Sequence, residues 1–360
     1  MRPGLLLGIA LFIWALGFMP KACLGADKGA VAPAKEQMEI EIDTEAIQNF
    51  VKENLPAGFE PPSQEEWDRF WKQLAALLAD QSLENLASFK PTVTLALTYL
   101  DALPELRNEA DWLKQRMDFL DMADSVVRET PVAPPKAVPD HGQIPTPPPP
   151  PPPPPAARPP PLIAPSIPEA KDTVPVPAPL EQQRRSMVRS GKLWAEKLGN
   201  RPLPVNAEKL IPRLKAMFKA EGVPTELVWI AEVESSLNPD AKSPSGAVGL
   251  FQFMPETAKR FGLRTAISDE RKDPEKSARA AARYLKALYR QMGSWRLALA
   301  SYNAGEGLVG RVQEKQNAQS FDEIADHLPV ETQMYVPKVM AVIALRENMD
   351  PATLPAPAED

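Results

Sequence analysis

Cysteine occurs once in this chain, as Cys23, and histidine twice, as His141 and His327. A single cysteine excludes an intramolecular disulfide, and two separated histidines offer no cluster of the kind that holds zinc. Cys23 is also a poor site for lipid attachment, because Pro20-Lys21-Ala22 places a proline and a charge where small and apolar residues would be needed. Long apolar runs are scarce. The one from Leu5 to Met19 is short against the roughly 20 residues that a spanning helix needs. With Arg2 ahead of it and Gly25-Ala26 behind, it has the layout of a secretory signal peptide over residues 1–26, and a retained anchor is the alternative. An exported protein of the periplasm or cell envelope is therefore expected. A basic patch is missing too: the net charge is −6, and residues 181–360 are close to neutral, which gives no surface for nucleic acid. Strict alternation of polar and apolar residues, the mark of a half-buried strand, is also absent. The fold class expected is all-α.

What the chain has in excess is proline, 43 of its 360 residues. Pro147 to Pro155 is unbroken and Pro159-Pro160-Pro161 follows. Such a stretch lacks backbone donors and cannot bury a core, so residues 131–180 are expected to be an extended polyproline II linker. On its N-terminal side, residues 36–130 read as a small helical domain. Ser63-Gln64-Glu65-Glu66 is a capping box, followed by the apolar stripe Trp67, Phe70, Trp71, Leu74, Leu77 and Leu78. Further stripes run through Leu95, Tyr99 and Leu103 and through Leu106, Ala110, Leu113, Met117 and Leu120. Trp67, Trp71 and Trp112 are expected to be core residues rather than sugar platforms. On the far side of the linker, residues 181–350 read as short helices, among them Asn206–Ala220, one opened by Asp273-Pro274, Trp295–Ser301 and Glu331–Arg346.

The stretch from Pro224 to Pro255 carries the chemistry. Leu227, Ile230, Ala231 and Glu234 recur at i, i+3, i+4 and i+7, so one helix over 224–236 would set Glu234 on its apolar face. Asn238-Pro239 should end that helix, leaving Glu234 in the last turn, where the helix dipole and apolar neighbours both disfavour a carboxylate. A raised pKa suits a general acid, although a core carboxylate with one hydrogen bond fits the spacing equally well. Glu232, about 200° around the helix, is expected on the solvated face. A loop punctuated by Ser243, Ser245, Gly246 and Gly249 follows, with Gln252 as a polar outlier, and Pro255 opens the next helix.

Glu234-Ser235, Asn238-Pro239, Ala241, Ser243, Gly246-Ala247, Gly249-Leu250, Gln252, Met254-Pro255 and Thr257-Ala258 resemble the first two motifs of the soluble-lytic-transglycosylase-like (SLT) domain of murein lytic transglycosylases. Ala298 to Gly305 is similar to the family's third motif, and Pro329 to Lys338, with Glu331-Thr332 and Tyr335, to its closing helix. The resemblance spans about Lys209 to Arg346 and implies a lysozyme-like catalytic domain. It also implies cleavage of the β-1,4 bond between N-acetylmuramic acid and N-acetylglucosamine, leaving 1,6-anhydro ends. Glu234 would be the acid and then the base. Ser243, Gln252, Met254, Tyr302, Asn303 and Tyr335 would bind substrate or shape the cleft. No cofactor and no metal are implied. The expected partners are peptidoglycan strands and, through the helical domain or the linker, an envelope protein. A hydrolytic muramidase and a non-catalytic glycan-binding scaffold are the alternatives. The matching segments offer no obvious second acid: Asp240, Asp269, Glu270 and Asp273 read as loop and cap residues.

Overall fold

The computed structural model describes residues 82–102, 107–131, 178–243 and 245–359, together with Ser63 and Glu65. The expected signal peptide, most of the linker, Trp67 and Trp71 lie outside these residues. Among the described residues every regular element is helical, and the only strand-like pairings are two isolated bridges, Lys242 with Val248 and Val248 with Phe253.

Among the described residues, two helices lie ahead of the proline-rich stretch, α1 (Leu83–Ala102) and α2 (Arg107–Glu129). Lys90 bridges to Asp124 at 2.7 Å and Lys114 to Asp101 at 2.5 Å, a pairing that fixes the two as an antiparallel hairpin. Leu83, Leu86, Phe89 and Val93 of α1 and Leu113, Leu120, Ala123 and Val126 of α2 are buried. Trp112 is buried as expected, but its neighbours include residues of the SLT stretch, described below.

After the linker come α3 (Ala178–Val188), α4 (Gly191–Leu198), α5 (Ala207–Ala220), a 3-10 turn (Thr225–Trp229) and α6 (Ile230–Ser235). They are followed by α7 (Pro255–Arg260), α8 (Pro274–Met292), α9 (Trp295–Ala304), α10 (Glu306–Gln316), α11 (Phe321–Ile324) and α12 (Val330–Glu347). Helix α3 begins at Ala178, so the last residues of the expected linker are helical. The start of α8 follows from its cap: the Asp273 carboxylate accepts from the amides of Glu275 and Lys276 at 3.1 and 3.0 Å, and Pro274 takes the first helical position. Its alanine-rich inner face, with Leu285 and Leu288, is buried as the periodicity implies. Helix α9 runs past its expected end at Ser301 to Ala304, which puts Tyr302 and Asn303 on its final turn.

Helix α12 is the centre of the molecule. It packs against α4, α6, α9 and the 3-10 turn, and residues on every side of it are buried, the pattern of a helix enclosed by its neighbours. The α1–α2 hairpin docks on this unit through mixed contacts. Phe119 meets Trp194 edge-on at 5.9 Å, while Asp118 bridges to Lys338 of α12 at 3.0 Å and to Arg201 at 2.5 Å. Arg184 donates to Thr130 Oγ1 at 2.8 Å and to its carbonyl at 2.6 Å, and pairs with Glu84. Both modules thus share one apolar core.

Candidate active site

The expected helix over 224–236 is two elements. The chain turns in a 3-10 conformation through Thr225–Trp229, continues as α6, and stops at Ser236 and Leu237, whose φ values are 51° and 58°. Two successive left-handed non-glycine residues cost roughly 1–2 kcal/mol each. The turn is held because Leu237 is fully buried and Asn206 donates to its carbonyl at 3.0 Å. Glu234 sits one residue before the end of α6, as expected, and is 9% exposed. Glu232 departs from expectation. It is buried, and both its oxygens take hydrogen bonds from Arg346 at 2.7 and 2.9 Å. The 200° rotation does turn it away from Glu234, but α12 covers that side as well, so the face is not solvated.

The hydroxyl of Tyr335 on α12 donates to Glu234 Oε1 at 2.5 Å. Burial pushes the Glu234 carboxyl above its ordinary range, and the hydrogen bond from Tyr335 and the charges of Arg116 and Lys338 pull it partly back. Burial outweighs the rest because a carboxylate loses water on all sides while its compensating partners are few. Glu331 lies one turn before Tyr335 on the same helix face, 8% exposed, and its pKa is pushed up to about 7, again chiefly by burial. Arg116 and a long hydrogen bond from Asn303 Nδ2, 3.4 Å, oppose that shift, and the neighbouring Glu234 adds to it. The N-terminus of α12 should favour the anion. Its effect of at most about 2 kcal/mol is overridden by desolvation.

The loop between α6 and α7 is drawn tight by Arg271. Its guanidinium is buried, holds Asp269 in a fork at 2.9 and 2.7 Å, and donates to the carbonyls of Gly246 at 2.8 Å and Phe253 at 2.9 Å. The backbone of Arg271 presses on Gly249, where a Cβ would lie 1.9 Å from the Arg271 carbonyl oxygen. Gln252, at φ 46°, donates from Nε2 to the carbonyls of Gly249 at 2.9 Å and Ala241 at 3.3 Å. Ser243 is buried; its hydroxyl pairs with Ser245 at 2.7 Å and accepts from the Ala247 amide at 2.9 Å. Tyr302 donates to the Phe251 carbonyl at 2.7 Å, and Asn303 Oδ1 accepts from Thr332 at 2.7 Å. Met254 stands at the N-cap position of α7 in extended backbone, with no hydrogen bond from its side chain to the helix.

The structure thus brings Glu234 together with Tyr335, and Glu331 with Asn303, along α12, sets Gln252 and Ser243 on the loop between α6 and α7, and ties Tyr302 of α9 to that loop through Phe251. Asp269, Asp273 and Glu270 are structural, as read from the sequence. Glu270 is held by Arg264 and Lys276 and lowered to about 2. Glu331 was named from the sequence only as part of the closing helix, without a role, and Arg116 was not named at all. Glu331 was legible: it stands four residues before Tyr335, so whatever side of α12 carries one carries the other. Arg116 was not, since it lies on α2, beyond the proline run, and no local pattern ties it to Glu234.

The site thus combines a buried glutamate under a tyrosine hydroxyl, a second buried glutamate four residues before that tyrosine, and a loop tied by arginine. Residues 213–325 match the model of the Transglycosylase SLT domain, the family whose motifs Glu234, Gln252 and Asn303 resemble, so this stretch carries that domain. Membrane-bound lytic murein transglycosylase D of Escherichia coli strain K12 is 34% identical over 148 residues, which cover 40% of this chain and 33% of the relative. Soluble lytic murein transglycosylase of the same strain is 36% identical over 168 residues, covering 42% and 24% respectively. The chain therefore spans a third or less of the length of these relatives. Among solved structures, the 70 kDa soluble lytic transglycosylase from Escherichia coli superposes with a TM-score of 0.38 at 29% identity, over 48% of this chain and 29% of that one.

Proposed function

We propose that this chain is a murein lytic transglycosylase of the bacterial envelope, and that Glu234 is its catalytic acid. The observation that carries the reading is a buried carboxyl with a raised pKa, oriented by Tyr335 within the stretch that matches the SLT domain. The names of the relatives support murein as the substrate. Because Tyr335 donates to Oε1, Oε2 is the oxygen that carries the proton. That proton passes to the glycosidic oxygen as the bond from C1 of N-acetylmuramic acid breaks, with the N-acetyl oxygen assisting at C1. Glu234, now a carboxylate, takes the proton of the C6 hydroxyl as that oxygen closes on C1. The product end is a 1,6-anhydro sugar, and the acid is restored.

Gln252 and Asn303 hold the sugar amide and hydroxyls, Ser243 meets substrate near the reacting ring, and Met254, Tyr302 and Tyr335 shape the cleft. Ser243 and Asn303 give up internal hydrogen bonds to do so. The modular plan is part of the reading: an exported chain with a signal peptide over 1–26, a helical domain over 36–130, a spacer over 131–180 and a catalytic domain over 181–350. Glu331 supports one alternative, a hydrolytic muramidase, because a second buried carboxyl beside the acid could activate water.

Mass spectrometry of the muropeptides released from purified sacculi separates the two. Ends one water lighter than reducing sugars, and inert to borohydride, are expected. Reducible ends would move the protein to the muramidase reading with Glu331 as second carboxylate. In the same assay Glu234→Gln is expected to lose at least the roughly 10²- to 10⁴-fold that general acid–base catalysis supplies, with folding intact. Clearing at the wild-type rate would remove Glu234 from the role.

A further inference from the structure

Helix α2 packs against the loop that follows Glu234. Asn108, Asp111, Trp112 and Gln115 face Asn238, Ala241, Lys242 and Gln252 across a cavity of only about 10 Å³. That volume is about one water molecule, against the roughly 300 Å³ or more of an ordinary ligand site. Helix α2 also touches α6, which bears Glu234, and the charge of Arg116 acts on both Glu234 and Glu331. The arginine whose charge reaches Glu234 is stacked at 4.0 Å over the Trp112 ring, which lines the cavity. Behind them, Asp118 is anchored by Lys338 and Arg201, and Phe119 by Trp194. These anchors lie on α2, whereas Tyr335 holds Glu234 and Arg271 holds the loop carbonyls of Gly246 and Phe253 without it.

We infer that the SLT motif loop is a docking surface for this chain's own helix α2, and that the docked α1–α2 hairpin is an autoinhibitory plug which must leave before a glycan strand can bind. The inference rests on Glu234 being the working acid. It extends that reading by giving the N-terminal hairpin a task and by explaining why a catalytic group is 9% exposed. Undocking takes the charge of Arg116 away from Glu234 and opens the carboxyl to substrate.

The test uses the full chain with Cys23→Ser, Asp111→Cys and Lys242→Cys, joined by a short disulfide-containing bismaleimide. Two readouts are followed: release of soluble fragments from sacculi, and modification of Glu234 by a carbodiimide with taurine, read by peptide mass. Linking is expected to slow both at least about tenfold, and reduction to restore them. Asp118→Asn, which loosens the anchor on Lys338 while leaving the catalytic groups in place, is expected to raise both severalfold with helical content unchanged. Equal Glu234 modification in the linked and reduced forms overturns the inference, as does a folded Asp118→Asn variant with no gain in either readout. If no form cleaves murein, the proposed reaction fails. Modification of Glu234 then still decides whether α2 covers the acid.

Discussion

Burial makes Glu331 a residue whose charge state the fold controls. Its folded pKa of about 7 lies above its ordinary value of 4.5, so between these values the native state holds a proton that the unfolded chain has lost. Stability contributed by the neutral carboxyl is therefore complete below about pH 4.5 and falls as the pH rises through about 7. At roughly 1.4 kcal/mol per pKa unit the loss is at most about 3.5 kcal/mol. Glu331→Gln keeps an acceptor oxygen for Asn303 and cannot ionise. Urea unfolding at pH 5 and pH 8 is expected to show a smaller loss of stability in the variant than in the wild type. Parallel behaviour of the two proteins would show that Glu331 does not titrate as a buried acid. Glu234 is shifted the same way, and its raised pKa keeps the carboxyl protonated at higher pH than an exposed glutamate, as the proposed role of general acid requires.

At the scale of the element, the loop between α6 and α7 depends on one glycine more than on the others. Gly249 combines φ +85° with the Arg271 carbonyl oxygen 1.9 Å from where a Cβ would sit, while Gly246 has φ +90° and open space. Alanine at Gly246 therefore carries only the left-handed strain, roughly 1–2 kcal/mol. At Gly249 it must also push Arg271 away, and with it the hydrogen bonds to Gly246 and Phe253. Gly249→Ala is expected to lower the melting temperature clearly more than Gly246→Ala and to depress cleavage with it. Equal melting temperatures for the two variants would mean the loop yields without cost.

Across the whole molecule, two modules share a core but are not equally secure. Helix α12 is enclosed on every side, whereas the hairpin is held by Phe119, the Asp118 bridges and the Arg184 contacts along one face. Elements with fewer enclosing contacts open at lower free energy, so amides of α1 and α2 are expected to exchange with deuterium well before those of α12. Phe119→Ala, which removes the aromatic anchor at a cost of roughly 3–5 kcal/mol, should widen that gap by releasing the hairpin while α12 stays protected. Exchange mass spectrometry reads both. Simultaneous loss of protection in α12 and the hairpin would mean that the two form a single cooperative unit.

Much of this was legible in the residues themselves. The absence of strand alternation pointed to an all-helical fold, and Asp273-Pro274 and Pro255 mark helix starts that the structure bears out, because caps and first-turn prolines act through backbone groups only a few residues away. Glu234 in its last helical turn was readable for the same local reason. The break of the 224–236 helix into a 3-10 turn and α6 was not, since what stabilises the left-handed pair Ser236-Leu237 is the burial of Leu237 and a hydrogen bond from Asn206. Glu232 was misjudged because a helix rotation says which residues share a face and not which faces another helix covers. The raised pKa of Glu331, the charge of Arg116 beside the acid and the closure of the site by α2 were decided by tertiary structure alone. Each depends on desolvation and on Coulomb interactions between groups that the chain brings together from either side of the proline run, and neither quantity exists until the helices pack.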